Sequence, residues 1–495
     1  MIKEELEQNL KKFKEIKKLN NNCLYNNNFP VNIDVEKIIV KYKDFSKEEL
    51  LEVTEEFSLY GRIILKRQLG KAIFFSLKNN NFTLQIYLSV DTLKDQNKFL
   101  LATYLNLLDI IWVKGKIFRT KVGELSLKAS DLVLLSKSNL HLPDKHLGIK
   151  NIELKYRKRY LDLIQNNKSF EVFKTRTKII KLIRNFFDQK EYLEVDTPIL
   201  QPIYGGALAK PFKTYFNYLG QDIYLRIAPE LYLKKLIVAG FSKVYEIGKN
   251  FRNEGMSPNH NPEFTTIEVY AANENLDYMI KISEDLINYL FDSLKLPKKF
   301  KYNNLDIQIS EKFEKMSMVE AILKYKNIDF NKILDFETGK KLAIEHNIEV
   351  QPFHNSLGHI ISLFFENFVE EKLINPTFIT EFPAAISPLA RKIEKNPMFT
   401  YRFELYIGKK EYANAFFEII DPLDQLNRFI LQKEEKKQGN FEASDIDYTF
   451  IDALSYGMCP TAGLGIGVDR LIMLITNSFS IKDIILFPHL KSFEE

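Results

Sequence analysis

The chain has 495 residues, a length that predicts two or more domains, and its 45% hydrophobic and 27% charged residues are typical of a soluble globular protein. The formal net charge of +5 is too small to identify a nucleic-acid-binding protein by itself, and two cysteines provide neither a disulfide framework nor a zinc motif. No apolar run approaches the roughly 18 residues of a membrane span and residues 1–20 lack the apolar segment of a secretory signal, so we expect a cytoplasmic protein with no membrane partner.

Residues 1–50 are predicted to form an N-terminal helical segment. Within residues 2–20, apolar side chains recur every three or four positions and lysines occupy the other face of the amphipathic helix. The apolar positions are Leu6, Leu10, Phe13, Ile16 and Leu19. These lysines can face solvent or contact phosphates, and for any one lysine the solvated face is the favoured interpretation.

Residues 51–140 are predicted to form a small all-β domain. Five short runs rich in β-branched and aromatic residues lie between residues 57 and 137, and turn-forming stretches such as KNNN and KVGE separate them. Five strands in a segment of this length favour an OB-fold barrel, a fold that binds oligonucleotides on one face.

Basic and aromatic residues are interleaved along these strands, a mixture that suits single-stranded bases stacked in a positively charged groove. The basic residues are Arg62, Lys66, Arg67, Lys71 and Arg119, and the aromatic residues are Phe74, Phe75 and Phe82. The alternative is that the phenylalanines belong to the barrel core, and we expect this for two of the three.

The rest of the chain is predicted to be a connector at 141–170 followed by an α+β domain at 171–495. The connector begins with the turn-rich HLPDKHLG and continues into a basic helical stretch. A helical block near 316–375 interrupts the α+β domain and is interpreted as an insertion. Three segments of this domain combine charged side chains in patterns that indicate a site.

The first of these segments is a predicted hairpin with strands at 243–254 and 263–272. Because side chains alternate along a strand, one face of the second strand is too polar to be buried without partners. That face carries Phe264, Thr266, Glu268 and Tyr270. On the first strand Arg252 shares a face with Glu254, and its guanidinium can hold a phosphate or a carboxylate. An ordinary salt bridge between the strands is the alternative.

The second segment, residues 402–418, is rich in carboxylates. Alternation along the strand places Asn414, Phe416 and Glu418 on one face. Glu404 and Glu411 are further carboxylates, but Glu411 is out of phase with Glu418, so both serve one site only with a bulge or an edge position. Carboxylates without nearby histidines suit Mg²⁺ held jointly with nucleotide phosphates, and solvated surface charge is the alternative.

The third segment, residues 461–476, has glycines at alternate positions followed by an apolar helix. The glycines, Gly463, Gly465 and Gly467, mark a strand that a ligand or another backbone approaches closely. Asp469 and Arg470 open the helix, and a helix start beside an arginine is a favourable anion site. The pattern is neither a dinucleotide-binding fingerprint nor a P-loop.

Together these segments resemble the class II aminoacyl-tRNA synthetases, and most closely the bacterial type of lysyl-tRNA synthetase. YLEVDTPIL is similar to the family's first motif, FRNEG…HNPEFT to the second and GLGIGVDR to the third. The lysine-type signatures are GRIILKRQLGKA, GELS, KYRKRYLDLI, GGALAKPF, LRIAPELYLK and NPTFITEFPAAISPLAR. The ordered set covers nearly the whole chain and is therefore specific.

The resemblance implies an antiparallel catalytic sheet of about six or seven strands flanked by helices, with an N-terminal OB-fold that binds the tRNA anticodon. It also implies a two-step reaction. L-lysine and ATP give lysyl-adenylate and pyrophosphate, and the lysyl group then passes to the 3′-terminal adenosine of tRNA(Lys). Mg²⁺ is the implied cofactor, and a homodimer is the implied assembly.

Residue roles come from the resemblance at matching positions. The implied ATP ligands are Arg252, Glu254, His260, Phe264, Glu404, Glu411 and Arg470. Of these, Glu404 and Glu411 also bind Mg²⁺, and Arg252 and Arg470 are the catalytic residues. The implied ligands of the substrate lysine are Gly206, Glu230, Arg252, Glu268, Tyr270, Asn414, Phe416 and Glu418. The implied anticodon-binding residues are Phe74, Gln85 and Glu124, and Pro198 is implied at the dimer interface.

The resemblance gives several of these residues a specific task. Arg252 holds the ATP α-phosphate and the substrate carboxylate, Phe264 stacks on adenine, and Arg470 holds the γ-phosphate. Glu268 and Glu418 receive the ε-ammonium of lysine together with Tyr270. A buried ammonium needs carboxylate partners, which favours lysine over aspartate as the substrate.

The chain departs from the family at Tyr204, Lys210 and Asn259, where proline, arginine and arginine are expected. The loss of an arginine at 259 would remove a phosphate contact. Two other functions stay open: a ligase that transfers lysine to a protein, and a non-catalytic tRNA-binding protein. The apparent anticodon barrel argues against the first, and the presence of Arg252 and Arg470 argues against the second.

Overall fold

The computed structural model describes residues 12–27, 29–140, 151–440, 442 and 445–491. The chain divides into two compact units, Met1–Glu171 and Val172–Glu495. Within the described ranges, no helix combines the length and the apolarity that crossing a membrane requires.

The first unit contains a closed five-stranded barrel, which confirms the predicted OB-type domain. Its strands are Phe57–Leu69, Ala72–Asn79, Phe82–Ser89, Ile110–Arg119 and Leu125–Ser136. The third and fifth strands pair in parallel, and the other neighbours pair antiparallel. Alternate side chains point inwards and are fully buried, as are Ile73, Phe75 and Leu77 of the second strand, so the hydrophobic effect closes the barrel on an apolar core.

Helices complete the core of the first unit. Residues 12–19 are helical, in agreement with the prediction, and the predicted helical positions 2–11 lie outside the described residues. Ile16 of this helix is fully buried in the barrel core together with Val35 and Ile38. The remaining helices are Val35–Tyr42, Lys47–Leu51, Val90–Leu93, Gln96–Tyr104, Ile152–Arg157 and Arg159–Gln165.

A buried ion pair joins two ends of the barrel strands. The Asp109 carboxylate accepts hydrogen bonds from Lys137 Nζ at 2.8 and 3.0 Å, and neither side chain is exposed. The backbone N–H groups of Asn106 and Ser138 donate to the same carboxylate, each at 2.8 Å. The buried carboxylate of Asp109 therefore has hydrogen-bond partners from within its own unit at both oxygens.

The second unit is built on an eight-stranded sheet, called here the main sheet. Its strands in spatial order are Glu314–Ser317, Thr377–Thr380, Arg402–Ile407, Lys410–Phe417, Thr461–Gly467, Glu263–Ala272, Lys243–Phe251 and Leu193–Glu194. The six inner strands pair antiparallel, and the two outermost strands each pair in parallel with their neighbour. The antiparallel catalytic sheet expected from the resemblance is therefore present, with one further strand at each edge.

The two faces of the main sheet differ. One face packs its apolar side chains, such as Ile267 and Leu464, against a layer of helices in the largest hydrophobic cluster of the unit. The helices of this layer are Asn167–Asp188, Leu276–Ser293 and Val468–Ile475. The other face carries the polar row of the predicted hairpin and is partly covered by Glu230–Val238, Pro422–Lys437 and Tyr448–Ser455. The polar face is therefore the one on which a site can form.

The segment interpreted as an insertion is helical and has a hydrophobic cluster of its own. Its α-helices are Met318–Lys326, Phe336–Glu345 and Leu357–Phe368, with short 3₁₀ helices at Phe330–Lys332 and Glu370–Lys372. Outside this segment a 3₁₀ helix lies at Ala384–Ile386, and an α-helix lies at Ile481–Ile484. Small sheets are formed by Leu200–Gln201 with Gln221–Leu225 and Lys213–Phe216, by Lys299–Tyr302 with Leu305–Gln308, and by Lys392–Ile393 with Asn396–Thr400.

The substitution Lys137→Met is expected to destabilise the barrel by about 3–5 kcal/mol, because it leaves the Asp109 carboxylate buried without its cation. The measurement is urea unfolding followed by the fluorescence of Trp112, the one tryptophan of the chain, which is 5% exposed within the barrel. Lys98→Met is the matched control. Its ion pair with Asp131 is partly exposed, so we expect a loss below about 1 kcal/mol, and equal losses in the two variants would contradict the prediction.

Candidate active site

A cavity of about 410 Å³ opens on the polar face of the main sheet. Its floor consists of the strands Lys410–Phe417, Thr461–Gly467 and Glu263–Ala272. The predicted site residues that line it are Gly206, Glu230, Arg252, Glu254, His260, Phe264, Glu268, Tyr270, Glu404, Glu411, Asn414, Phe416 and Arg470. The structure therefore brings together residues that are more than 200 positions apart in the chain.

Arg252 lies at one end of the cavity, in the loop after a strand and not in the strand itself. The prediction of a strand through residue 254 is wrong at its end, because the strand stops at Phe251. The Arg252 N–H still bonds the carbonyl of Pro262 at 2.9 Å, but Pro262 has no N–H to return the hydrogen bond. The guanidinium lies 5.1 Å from the ring centroid of Phe264. Burial lowers the pKa of Arg252, and among the described residues its Nε has no hydrogen-bond partner. A desolvated cation with a free donor favours an anionic ligand.

Arg470 lies near Arg252, in the first turn of the helix Val468–Ile475. Its Nη1 donates to the Glu411 carbonyl at 2.5 Å and approaches the Glu411 carboxylate at 3.3 Å, and its Nη2 lies 3.5 Å from Nε2 of His260. Burial and then the nearby Arg470 lower the pKa of His260, so its imidazole is neutral near pH 7. The neighbouring residue, Asp469, fixes this end of the helix by accepting hydrogen bonds from Arg176 and the Thr265 N–H at 2.6 and 2.7 Å.

Glu404 and Glu411 reach the cavity because of a β-bulge. In the register of the two strands Leu405 faces Ala413 and Tyr406 faces Glu411, so Tyr412 has no opposite residue. The sequence analysis required a bulge or an edge position if Glu411 and Glu418 serve one site, and this bulge meets that requirement. Burial raises the pKa of Glu404, and Glu411 adds to the rise although Arg402 opposes it.

Two close carboxylates of this kind have the oxygen donors that Mg²⁺ prefers. Among the described residues no group of three or more His, Cys, Asp or Glu side chains is arranged to hold a metal ion. A divalent cation at Glu404 and Glu411 would therefore need further oxygen ligands from a phosphorylated substrate or from water. The donor set fits Mg²⁺ shared with phosphates and does not fit a metal site made by protein alone.

Carboxylates and a phenol occupy the other end of the cavity. Tyr270 Oη donates to Glu268 Oε2 at 3.2 Å, and both side chains are buried. Burial, followed by the proximity of Glu230, raises the pKa of Glu268 to about 8. Glu418 does not line the cavity and lies behind it, fully buried, in contact with Lys234. This end of the site therefore contains carboxyls whose ionised forms a cationic group can stabilise.

Two glycines make room for these side chains. Gly206 has a φ of +84°, and a Cβ there would lie 2.9 Å from the Cβ of Glu230. A Cβ at Gly463 would collide with the Glu418 carboxylate and the Tyr270 ring. The alternate glycines of the strand Thr461–Gly467 are thus explained at position 463 by a close approach of site side chains, which agrees with the interpretation of the motif.

Asn414 and Phe416 are held by an arginine that the sequence analysis did not select. Arg402 Nε donates to Asn414 Oδ1 at 3.2 Å, and its Nη2 donates to the Glu404 carboxylate at 2.6 Å. The Arg402 guanidinium also lies 5.3 Å from the ring centroid of Phe416. Its spacing of two residues from Glu404 on a strand was the signal that could have identified it.

At two of the three departures from the family pattern the structure gives the side chain a local partner. Asn259 Oδ1 accepts a hydrogen bond from Lys410 Nζ at 2.5 Å, and Lys436 Nζ donates to Tyr204 Oη at 2.9 Å. The carbonyl of Lys210 accepts a hydrogen bond from the Asn253 N–H at 2.8 Å. Burial lowers the pKa of Lys410, and the nearby Arg470 lowers it further. A cation therefore stands beside position 259 although the residue there is neutral.

The barrel of the first unit carries a second candidate surface. Phe74, Tyr87 and Phe118 form a row of half-buried rings, with centroids 5.2 and 5.9 Å apart. Gln85 Nε2 donates to the Glu124 carboxylate at 3.2 Å beside this row. The sequence analysis selected Phe74, Gln85 and Glu124 but missed the two aromatic neighbours. Of the other phenylalanines, Phe75 is fully buried and Phe82 packs against the core.

Three of the five basic residues predicted to form a positive groove on the barrel donate to main-chain groups. Arg62 Nη1 donates to the Leu108 carbonyl at 2.9 Å. Lys66 Nζ donates to three carbonyls at the end of the helix Gln96–Tyr104, and Arg119 donates to the carbonyls of Lys43, Phe45 and Gly123. These side chains satisfy main-chain groups within the unit. Arg67 and Lys71 are exposed, as a phosphate contact requires.

Pro198 lies outside the cavity. It is exposed in the segment between the short strands Leu193–Glu194 and Leu200–Gln201. Leu193, Ile199 and Leu200 in the same segment are 44–50% exposed. This part of the second unit therefore presents apolar side chains to solvent.

Comparison with known proteins extends the similarity beyond the motifs. A family model described as tRNA synthetases class II (D, K and N) matches residues 151–491, and one described as OB-fold nucleic acid binding domain matches residues 57–135. A lysine–tRNA ligase of Mycoplasma mobile is 51% identical, with 93% of each chain covered. The lysine–tRNA ligase of Mycoplasma capricolum is 48% identical over 94% of this chain and 93% of the relative, and that of Bacillus cereus is 47% identical over 92% and 91%.

Proposed function

The chain belongs to the class II tRNA synthetases of the D, K and N type, and we propose that it attaches L-lysine to tRNA(Lys) in an ATP-dependent reaction. In the first step the lysine carboxylate attacks the ATP α-phosphate, which gives lysyl-adenylate and releases pyrophosphate. In the second step the hydroxyl of the 3′-terminal tRNA adenosine attacks the lysyl carbonyl and AMP leaves. Both substrates and tRNA are cytoplasmic, so the reaction takes place in the cytoplasm.

The acidic end of the cavity is the observation that supports lysine as the substrate amino acid. Glu230 and Glu268 line the cavity, and Glu418 lies directly behind it. Aspartate or asparagine would bring no positive side chain to these carboxylates, and burying another carboxylate beside them is unfavourable. Lysine brings an ε-ammonium for Glu268 and Tyr270, with the Glu418 carboxylate behind them, and an α-ammonium for Glu230 and the tight turn at Gly206.

The cationic end of the cavity suits the ATP phosphates and the lysine carboxylate. Arg252 is placed to stabilise the charge that develops on the α-phosphate, and Arg470 to hold the γ-phosphate. Phe264 offers a ring face to adenine, and Glu254 and His260 complete the nucleotide site. The attacking carboxylate is already ionised, so these residues act by positioning and electrostatics without a general base.

Mg²⁺ would be held by Glu404 and Glu411 together with phosphate oxygens. When bound, it neutralises phosphate charge and so favours the leaving of pyrophosphate. The role of this chain in that arrangement is to present two carboxylates at a fixed spacing, which the β-bulge at Tyr412 and the hydrogen bonds to Glu404 accomplish.

The barrel is proposed to bind the anticodon of tRNA(Lys). Unpaired bases are recognised by stacking on aromatic rings and by hydrogen bonds to their edges. Phe74, with Tyr87 and Phe118, provides the stacking surface, and Gln85 and Glu124 provide adjacent polar groups. This surface supports tRNA over a protein as the acceptor of lysine.

A homodimer is proposed through the segment around Pro198. Its exposed apolar side chains, Leu193, Ile199 and Leu200, are the type of surface that a second copy of the chain can cover. The converging cations and carboxylates of the cavity support a catalytic protein over a non-catalytic tRNA-binding protein, because a tRNA-binding protein has no need for an ammonium pocket.

The proposed function predicts ATP–pyrophosphate exchange that depends on lysine and not on aspartate or asparagine. Exchange is measured without tRNA, so that activation is separated from transfer. Arg252→Ala should lower the exchange rate by on the order of 100-fold or more, because it removes charge stabilisation at the reacting phosphate. Exchange with aspartate or asparagine, or the absence of exchange with all three amino acids, would contradict the proposed function.

The raised pKa of Glu268 makes lysine binding depend on pH. Below the value of about 8 its carboxyl is protonated in the free protein, and a neutral carboxyl cannot pair with an ammonium. Since lysine binds the ionised form, the KM for lysine in exchange should fall by up to about tenfold per unit as the pH rises from about 6 towards 8. Glu268→Gln should show a higher KM and a weaker dependence on pH, whereas a wild-type KM that rises over this range would contradict the assignment.

Lys410 is predicted to contribute the phosphate contact that Asn259 does not make. Lys410→Met should raise the KM for ATP by about threefold to tenfold, as expected for a partly exposed ion pair, and leave the KM for lysine unchanged. Asn259→Arg in the Lys410→Met background should restore ATP binding in part. Lys409→Met is the control, because Lys409 pairs with Glu371 at 3.0 Å, and an equal effect in both lysine variants would refute the prediction.

A further inference from the structure

A resident ammonium lies beside the acidic end of the cavity. Lys234, in the helix Glu230–Val238, has no exposed side-chain surface. Its Nζ donates to Glu230 Oε1 at 2.5 Å, contacts the Glu418 carboxylate and lies 5.9 Å from the ring centroid of Phe450. The side chain therefore joins two of the carboxylates that the proposed function assigns to the substrate.

Electrostatics keep this lysine charged. Burial lowers the pKa of Lys234, but Glu230 and Glu418 outweigh burial and the net shift is upward. Burial raises the pKa of both carboxyls, and Lys234 opposes that rise. Lys234 and the two carboxylates therefore stabilise one another's ionised forms, whereas Glu230 raises the pKa of Glu418 further. Removal of the cation leaves two buried carboxyls that favour their protonated forms.

The charges at this end of the cavity match one substrate molecule. Glu230, Glu268 and Glu418 contribute three negative charges when ionised, and Lys234 contributes one positive charge. The net charge of these four side chains is then −2, which balances the two positive charges of the α-ammonium and ε-ammonium of lysine. Without Lys234 the same pocket would carry an unmatched carboxylate when lysine is bound.

We propose that Lys234 is a positioning and specificity-determining residue, whose buried ammonium holds Glu230 and Glu418 together and sets the charge of the pocket to that of one lysine. The inference rests on the proposed function. Lys234 does not touch the reacting atoms and acts through the two carboxylates that it contacts. Its loss therefore affects the binding of lysine and leaves the binding of ATP as it was.

The first test is Lys234→Met, which keeps the length of the side chain and removes the charge. The KM for lysine in ATP–pyrophosphate exchange should rise on the order of tenfold or more, while the KM for ATP should stay within about twofold. Lys235→Met is the matched control, because Lys235 is the next residue and bonds Thr449 at 2.8 Å outside the cavity. A change in both KM values, or an equal change in the control, would overturn the proposal.

A second pair of variants separates charge matching from simple loss of structure. Glu418→Gln leaves Lys234 free to compete with the substrate for Glu230, and the pocket then has one negative charge too few. The double variant Lys234→Met with Glu418→Gln removes that competitor and restores the match. We therefore expect the double variant to bind lysine more tightly than Glu418→Gln alone, by severalfold in KM.

The result that would overturn the inference is a double variant that binds lysine more weakly than Glu418→Gln, or that fails to fold when Glu418→Gln folds. Either result would give Lys234 a structural role that does not depend on the charge of Glu418. The wild-type protein separates this outcome from failure of the proposed function. If the wild type shows no lysine-dependent exchange, the proposed function fails, whereas wild-type exchange with unaffected Lys234 variants refutes only the role of Lys234.

Discussion

Charged side chains that are buried on one face of a sheet need partners of opposite charge. The structure of the second unit depends on how these partners are supplied. Cations such as Arg252 and Arg470 converge at one end of the cavity, and carboxylates such as Glu268 converge at the other. Their pKa shifts have a common origin, since burial and like neighbours disfavour the charged forms. A ligand with anionic groups at one end and cationic groups at the other provides partners for both sets of buried charges, as lysine together with ATP does.

Local irregularities of the backbone bring these charges to their places. The bulge at Tyr412 turns Glu411 towards the cavity, and Gly463 leaves the space that Tyr270 and Glu418 occupy. Asp469 ties the first turn of its helix to the floor of the cavity through Arg176 and a backbone N–H. The regular part of the sheet thus provides rigidity, and its few irregular positions determine the geometry of the site.

Much of this architecture was predictable from the sequence because strands and turns have local signatures. The five barrel strands and the strand Glu263–Ala272 match their predicted positions closely. The end of the preceding strand was missed because it depends on the hairpin register, which places Pro262 opposite Arg252, and proline has no N–H to return the hydrogen bond. Lys234 was also missed, although its spacing of four residues from Glu230 on a helix is a local signal. Its contact with Glu418 is long-range and leaves no periodic pattern in a single sequence.

The barrel shows how a basic composition can mislead about nucleic-acid binding. Lys66 and Arg119 lie on barrel strands, but both side chains donate to main-chain carbonyls of the same unit. The exposed surface relies more on rings such as Phe74, and stacking accepts any base. In the proposed anticodon complex, discrimination among bases comes from edge contacts, and the hydrogen bond between Gln85 and Glu124 orients the polar groups that can make them. The proposed selectivity therefore depends on hydrogen-bond geometry more than on net charge.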